Sequence, residues 1–104
     1  MAVMVKVLVD IRPSPVALPF HRVFTRPVVE IDGVERTVRW GVTEVSAEEG
    51  DHEVAVFFRY RGQRAARLGL GTGQLTVRAD AAAQPRVTAR LGARNGSSFT
   101  VGTA

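Results

Sequence analysis

Residues 51–61, D-H-E-V-A-V-F-F-R-Y-R, form the longest clean alternation in the middle of the chain. Val54, Val56, Phe58 and Tyr60 fall on one parity, and Glu53, Ala55, Phe57, Arg59 and Arg61 on the other. Successive side chains of a strand point to opposite faces, so this run predicts a central strand with one face in a core. On its N-terminal side S-A-E-E-G-D (46–51) is acidic and small, which predicts a turn closed by Gly50. On its C-terminal side R-G-Q-R (61–64) predicts another turn at Gly62.

Upstream, V-V-E-I-D (28–32) and V-E-R-T-V-R-W (34–40) flank Asp32-Gly33. Asp-Gly between two alternating runs predicts a hairpin, because glycine accepts the positive φ of a type I′ turn. Val29 and Ile31 then point inward, with Val38 and Trp40 as the apolar positions of the second arm. Residues 3–11 place Val3, Val5, Val7, Val9 and Ile11 on one face and predict a first strand. Between these segments Pro13, Pro15 and Pro19 predict an extended connector without helix, and Pro27 breaks the run 20–26.

Downstream, residues 65–70 predict a weak strand ending in L-G-L-G-T-G, and Leu75, Val77 and Ala79 alternate in the next one. A-A-A-Q-P (81–85) is a connector. Val87, Ala89 and Leu91 alternate with Arg86, Thr88 and Arg90, and Asn95-Gly96 precedes a last strand, 98–101. No window shows a helical period. Turn signals at this spacing predict an all-β fold, an antiparallel two-sheet sandwich of about seven to eight short strands. Residues 1–104 read as a single domain.

Composition narrows the class of protein. With 45% apolar and 23% charged residues the chain reads as globular and ordered. The absence of cysteine excludes disulfides and thiolate metal sites, as suits a cytoplasmic protein. The apolar run 2–9 contains Lys6 and ends at Asp10, so it reads as a strand rather than a leader. No stretch reaches the ~18–20 apolar residues of a membrane span. Basic residues exceed acidic ones by 14 to 10, and only Lys6 is lysine, so 13 are arginine. Arginine suits bidentate contacts to phosphate and carboxylate; a coding bias that also enriches Ala, Gly and Val gives the same excess with no function attached.

The segments V-V-E-I-D-G (28–33), Trp40-Gly41, E-E-G-D-H-E-V-A-V (48–56) and G-Q-L-T-V-R-A (73–79) resemble the small bacterial β-domains of the PEGA type. The likeness covers residues 27–91 and rests on turn residues, with no Thr-Pro after the Asp-Gly turn. It implies a non-catalytic β-sandwich, an adhesion or binding accessory module without cofactor. At Asp32, Gly33, Gly50 and His52 it implies structural roles only.

Candidate chemistry is sparse. His52 opens the central strand and His21 sits in the proline-bounded segment; neither has the three or four ligands zinc requires, so a structural role is expected for His52. Glu48, Glu49, Asp51 and Glu53 crowd one turn, which reads as a solvated loop rather than a carboxylate pair in a cleft. The run G-L-G-T-G (69–73) lacks a Walker lysine and a following helix, so it reads as turn and strand-bend glycine rather than a phosphate cradle. No Gly-x-Ser-x-Gly elbow surrounds Ser97 or Ser98, and the Asn95-Gly96-Ser97 sequon has meaning only in a secreted chain.

The strongest functional pattern is the outward parity. Arg59, Arg61, Arg78, Arg86 and Arg90 all oppose the apolar faces of their strands. Were those strands in one sheet, they would form an anion-binding face with Phe57 exposed in it and Trp40 nearby, able to take phosphates while a ring stacks on a base or sugar. The expectation is therefore a non-enzymatic binding or scaffolding module of bacterial, cytoplasmic type, without cofactor or metal. The alternative is a polyanion-binding protein, for nucleic acid or acidic glycan, using that arginine-rich face. Its partner is a protein or a polyanion, and a valine-rich first strand at a sheet edge would offer a homodimer contact.

Overall fold

In the computed structural model, which describes residues 3–14, 17–80, 82–92 and 97–104, the alternating runs form eight strands and one short helix. They are β1 (Met4–Arg12), α1 (Leu18–Phe24), β2 (Thr25–Ile31), β3 (Val34–Thr37), β4 (Gly41–Glu48), β5 (Gly50–Tyr60), β6 (Leu68–Val77), β7 (Arg86–Leu91) and β8 (Phe99–Thr103). Two four-stranded sheets result, ordered β4-β1-β7-β8 and β3-β2-β5-β6. The fold is thus the expected all-β sandwich. Its ladders are not all alike: β1–β7 is parallel, with Val9 opposite Val87, while the others are antiparallel.

The inward parities are those of the sequence. Val7, Val9 and Ile11 of β1, Val29 of β2, Val54 and Val56 of β5, Leu75 and Val77 of β6, and Val87 and Ala89 of β7 meet in one buried cluster. Each valine, leucine or isoleucine among them contributes about 1.5–3 kcal/mol by leaving water. The Asp32-Gly33 hairpin forms as expected, with φ of 50° and 84° at its two central residues, both positive as a type I′ turn requires.

Several expectations are corrected. The turn expected over residues 46–51 forms at Gly50 but is shorter: β4 runs to Glu48 and β5 starts at Gly50, so the chain crosses from one sheet to the other at a tight corner. Gly50 takes φ 132° there, a conformation that L side chains rarely adopt. Nor do the prolines forbid helix. Pro19 lies in the first turn of α1, where its missing N–H would have no intrahelical partner. Pro27 sits inside β2; its carbonyl accepts from Val38 N at 3.1 Å, so its nitrogen faces the end of the β3 ladder, where no donor is needed.

The glycine run is also different from the expected strand end. Residues 68–77 are one continuous strand, β6. Between the pairs Val56–Gly71 and Phe58–Leu68 this strand carries one extra residue, a bulge in which Gly69 has φ 67°. Past the bulge, Gly71 and Gly73 share the inward face with Leu75 and lie against β8 of the other sheet. Finally, β1 is not at an edge. It is paired to β4 along residues 4–11 and to β7 along residues 8–12, so it is an interior strand of its sheet rather than the edge strand expected for a dimer contact. The expected Asn95-Gly96 turn lies outside the described residues.

Candidate functional site

The five arginines of the expected face do not share a sheet. Arg59 lies on β5 and Arg61 and Arg78 just beyond β5 and β6, whereas Arg86 and Arg90 belong to β7 in the opposite sheet. Phe57 is the second correction, being fully buried despite its outward parity. The guanidinium carbons of Arg59 and Arg67 cover its ring at 5.1 and 5.0 Å. Arg59 is committed to Glu35 through two bonds of 2.9 and 2.8 Å and to the Ala66 carbonyl at 2.8 Å, and Arg67 is bonded to Glu30. That face is a neutralised lid over an aromatic ring. It offers no free guanidinium row to a ligand, and Arg78 stands in a surface depression with Glu49, Asp51 and Asp80.

His52 has the structural role expected of it. Nε2 is 2.6 Å from the Glu48 carbonyl and Nδ1 is 2.5 Å from Asp32 Oδ2. Both neighbours are acceptors, so both ring nitrogens donate and the ring is an imidazolium. Asp32 Oδ1 also accepts from Glu53 N at 2.8 Å. The side chain thereby ties the β2–β3 hairpin to the β4–β5 corner, bringing together Asp32, Gly33, Gly50 and His52. A histidine that donates from Nε2 to a backbone carbonyl has no lone pair with which to act as a base.

This tie has a pH signature. The Glu48 carbonyl and the Asp32 carboxylate raise the His52 pKa above 6.5, and the His52 bond lowers that of Asp32 below 3.8. The His52 contribution is complete below pH 6.5 and is lost as pH rises through its raised value; the Asp32 contribution is present above 3.8 and is lost on acidification through its lowered value. Burial lowers the pKa of His21, so that group acts oppositely, with its stabilisation complete above 6.5 and lost in acid. His52→Gln is expected to cost about 2 kcal/mol at mildly acidic pH, less than the full worth of two charge-assisted hydrogen bonds because the Asp32 side chain is half exposed. In urea titrations across pH it should also abolish the decline in stability that sets in above pH 6.5; a decline that persists in the variant would assign it elsewhere.

Among the described residues, a cluster of arginines that enter no salt bridge lies at the α1 end of the sandwich, around Trp40. Thr25 organises it. Its hydroxyl donates to the His21 carbonyl at 2.8 Å and accepts from Trp40 Nε1 at 3.2 Å. Since its only hydrogen is used, the 3.0 Å contact to His21 Nδ1 has the imidazole donating. His21 is buried among rings, with Trp40 and Phe58 centroids 5.1 and 5.0 Å away. One opening of about 480 Å³ beside Trp40 is lined by Arg22, Arg26, Arg39 and Arg61 and by no carboxylate. A second, of about 280 Å³, shares Arg22 and Trp40 with it and adds Arg12 and Arg90.

Arg12 is paired with Asp10 at 2.9 Å, and Arg61 holds the Val23 carbonyl at 2.7 Å. Among the described residues, Arg22, Arg26, Arg39 and Arg90 enter no salt bridge. Of the arginines singled out by parity, only Arg61 and Arg90 therefore belong to this site. Parity does not reveal Arg12, Arg22, Arg26 and Arg39, because they come from a strand end, a helix, a second strand and a loop. Among the described residues no group of three or more histidine or acidic side chains is placed to hold a metal ion, and no helix is long and apolar enough to cross a membrane.

Compared with known proteins, the chain matches no family model, no curated protein and no solved structure.

Proposed function

We propose that the domain is a non-enzymatic binding module whose partner is polyanionic and docks at the α1 end. The supporting observation is the opening beside Trp40, where four arginines converge without a carboxylate. Guanidinium groups kept together without counter-charges repel one another, and an anion with several acceptors relieves that repulsion. The non-catalytic part of the reading is supported by His52, whose nitrogens are both engaged, and by His21, whose Nδ1 is held by Thr25. Kinship with PEGA-type domains and a bacterial cytoplasmic setting belong to the same proposal.

Binding of a labelled polyanion such as heparin or an oligonucleotide is expected to weaken steeply as salt is raised. The joint Arg22→Ala and Arg39→Ala variant should flatten that dependence, by a log–log slope of ~0.7–0.9 for each phosphate that is no longer neutralised. The joint Arg59→Ala and Arg78→Ala variant should leave the slope in place, provided the protein remains folded. A slope that responds to the second pair rather than the first would move the site to the sheet face.

A further inference from the structure

Building on that reading, we propose that the polyanion is a single-stranded nucleic acid, bound without strong sequence preference across the α1 end. Its bases would stack on the exposed rings while its phosphates lie on the arginines around Trp40. Three aromatic side chains stand open at the α1 end, outside the lining of the basic opening but close in the chain to the arginines of its rim: Phe20 at 44%, Phe24 at 52% and Tyr60 at 42% exposure. They are contiguous, with Phe20 ring centroids 5.2 Å from Phe24 and 6.0 Å from Tyr60. Beneath the surface the contacts continue from Phe20 through the buried His21 to Trp40, at 5.5 and 5.1 Å. Arg61 joins the two halves, its Nε on the Val23 carbonyl and its side chain lining the opening.

The polarity of the lining separates the candidate polyanions. Apart from Thr25, whose hydroxyl is already used by His21 and Trp40, and the indole of Trp40 itself, every polar side chain in the opening is a guanidinium. Guanidinium only donates. Sugar hydroxyls use acceptors as well as donors, and the opening offers a glycan's hydroxyl hydrogens no free side-chain acceptor. A nucleic-acid backbone presents acceptors, and each base presents a π-face, which suits rings and arginines together. Duplex bases are stacked on each other and would leave Phe20, Phe24 and Tyr60 without partners. No Asn, Gln, Asp or Glu lines the opening to read adenine or cytosine edges, and every base offers a π-face to the rings, so preference is confined to what the arginines gain at guanine.

The test uses the whole chain with fluorescently labelled oligo-dT and oligo-U of about 12 nucleotides, within the range of one small β-domain. Heparin and a DNA duplex serve as competitors. Trp40 is the only tryptophan, so a change in its emission reports occupancy at the site directly. The expected result is binding of either strand in preference to duplex and heparin, with the Trp40 signal changing on binding. Phe20→Ala with Phe24→Ala should weaken binding at least about 10-fold while preserving the salt slope, since stacking releases no counterions. Both rings are half open, and circular dichroism would verify that the variant is folded; Tyr60→Ser supplies an independent removal of a ring. Heparin bound as well as the single strand, or affinity indifferent to all three rings, overturns this proposal and leaves a general polyanion site. Failure to bind any of the polyanions overturns the function proposed above as well.

Discussion

Phe57→Ala is expected to lower the free energy of unfolding by about 3–5 kcal/mol, the range for emptying a buried aromatic site. The effect is large because the ring is fully buried on the outer side of its sheet rather than between the sheets. Val28 lies opposite it on β2 and is also almost completely buried. Above the pair, the guanidiniums of Arg59 and Arg67 sit about one ring-stacking distance away, anchored by Glu35 and Glu30. Deleting the ring removes the apolar floor under two cations and exposes Val28, so transfer, cavity and cation–π losses add. Phe57→Leu keeps most of the volume and should cost about 1–1.5 kcal/mol. Urea unfolding of the two variants checks this; a loss below about 1 kcal/mol for the alanine would return Phe57 to the open surface that parity suggests.

That contrast marks what alternation can and cannot convey. The two-residue period correctly sorts Val7, Val9, Val29, Val54, Val56 and Val87 to one interior, because each strand needs one face out of water. It also puts Phe57 on the solvent side. The burial of Phe57 depends on Arg67, Glu30 and Glu35, which come from other strands and loops and leave no periodic trace in residues 51–61. Pairing is similarly hidden: β1 reads as a first strand, yet its parallel partner β7 arrives near the other end of the chain. Local turn chemistry is legible, as the positive φ at Asp32 and Gly33 shows. The α1 end is the least legible, since Arg22, Arg26, Arg39 and Trp40 become neighbours only after a helix, a strand and a loop fold together. Prolines obscure the helix itself, because Pro19 reads as a breaker unless it falls in a first turn.

Gly71→Ala is the second variant with a large expected effect, and its source is backbone rather than side chain. A Cβ at Gly71 would lie 2.2 Å from the Phe99 carbonyl oxygen and 2.9 Å from its carbon, separations that force strands apart. Phe99 cannot retreat without disturbing the interior, because its ring packs with Trp40 and Phe58 at 6.0 and 6.4 Å. Alanine in place of a strand glycine ordinarily stabilises by reducing the freedom of the unfolded chain, by about 0.4–1 kcal/mol. Here the clash should reverse that sign and cost about 3 kcal/mol, the upper part of the overpacking range. Gly73→Ala is the internal comparison, two residues along the same face of β6. Its Cβ would meet Val101 Cγ1 at 3.0 Å, a side-chain methyl that can turn aside, so a loss of about 1 kcal/mol is expected. Equal losses at the two positions, or a neutral Gly71→Ala, would mean that the β6 and β8 backbones do not approach so closely in solution. A large loss at Gly71 beside a small one at Gly73 would show that Gly71 lets the β8 backbone approach β6, a reason for this glycine that no phosphate ligand is needed to supply.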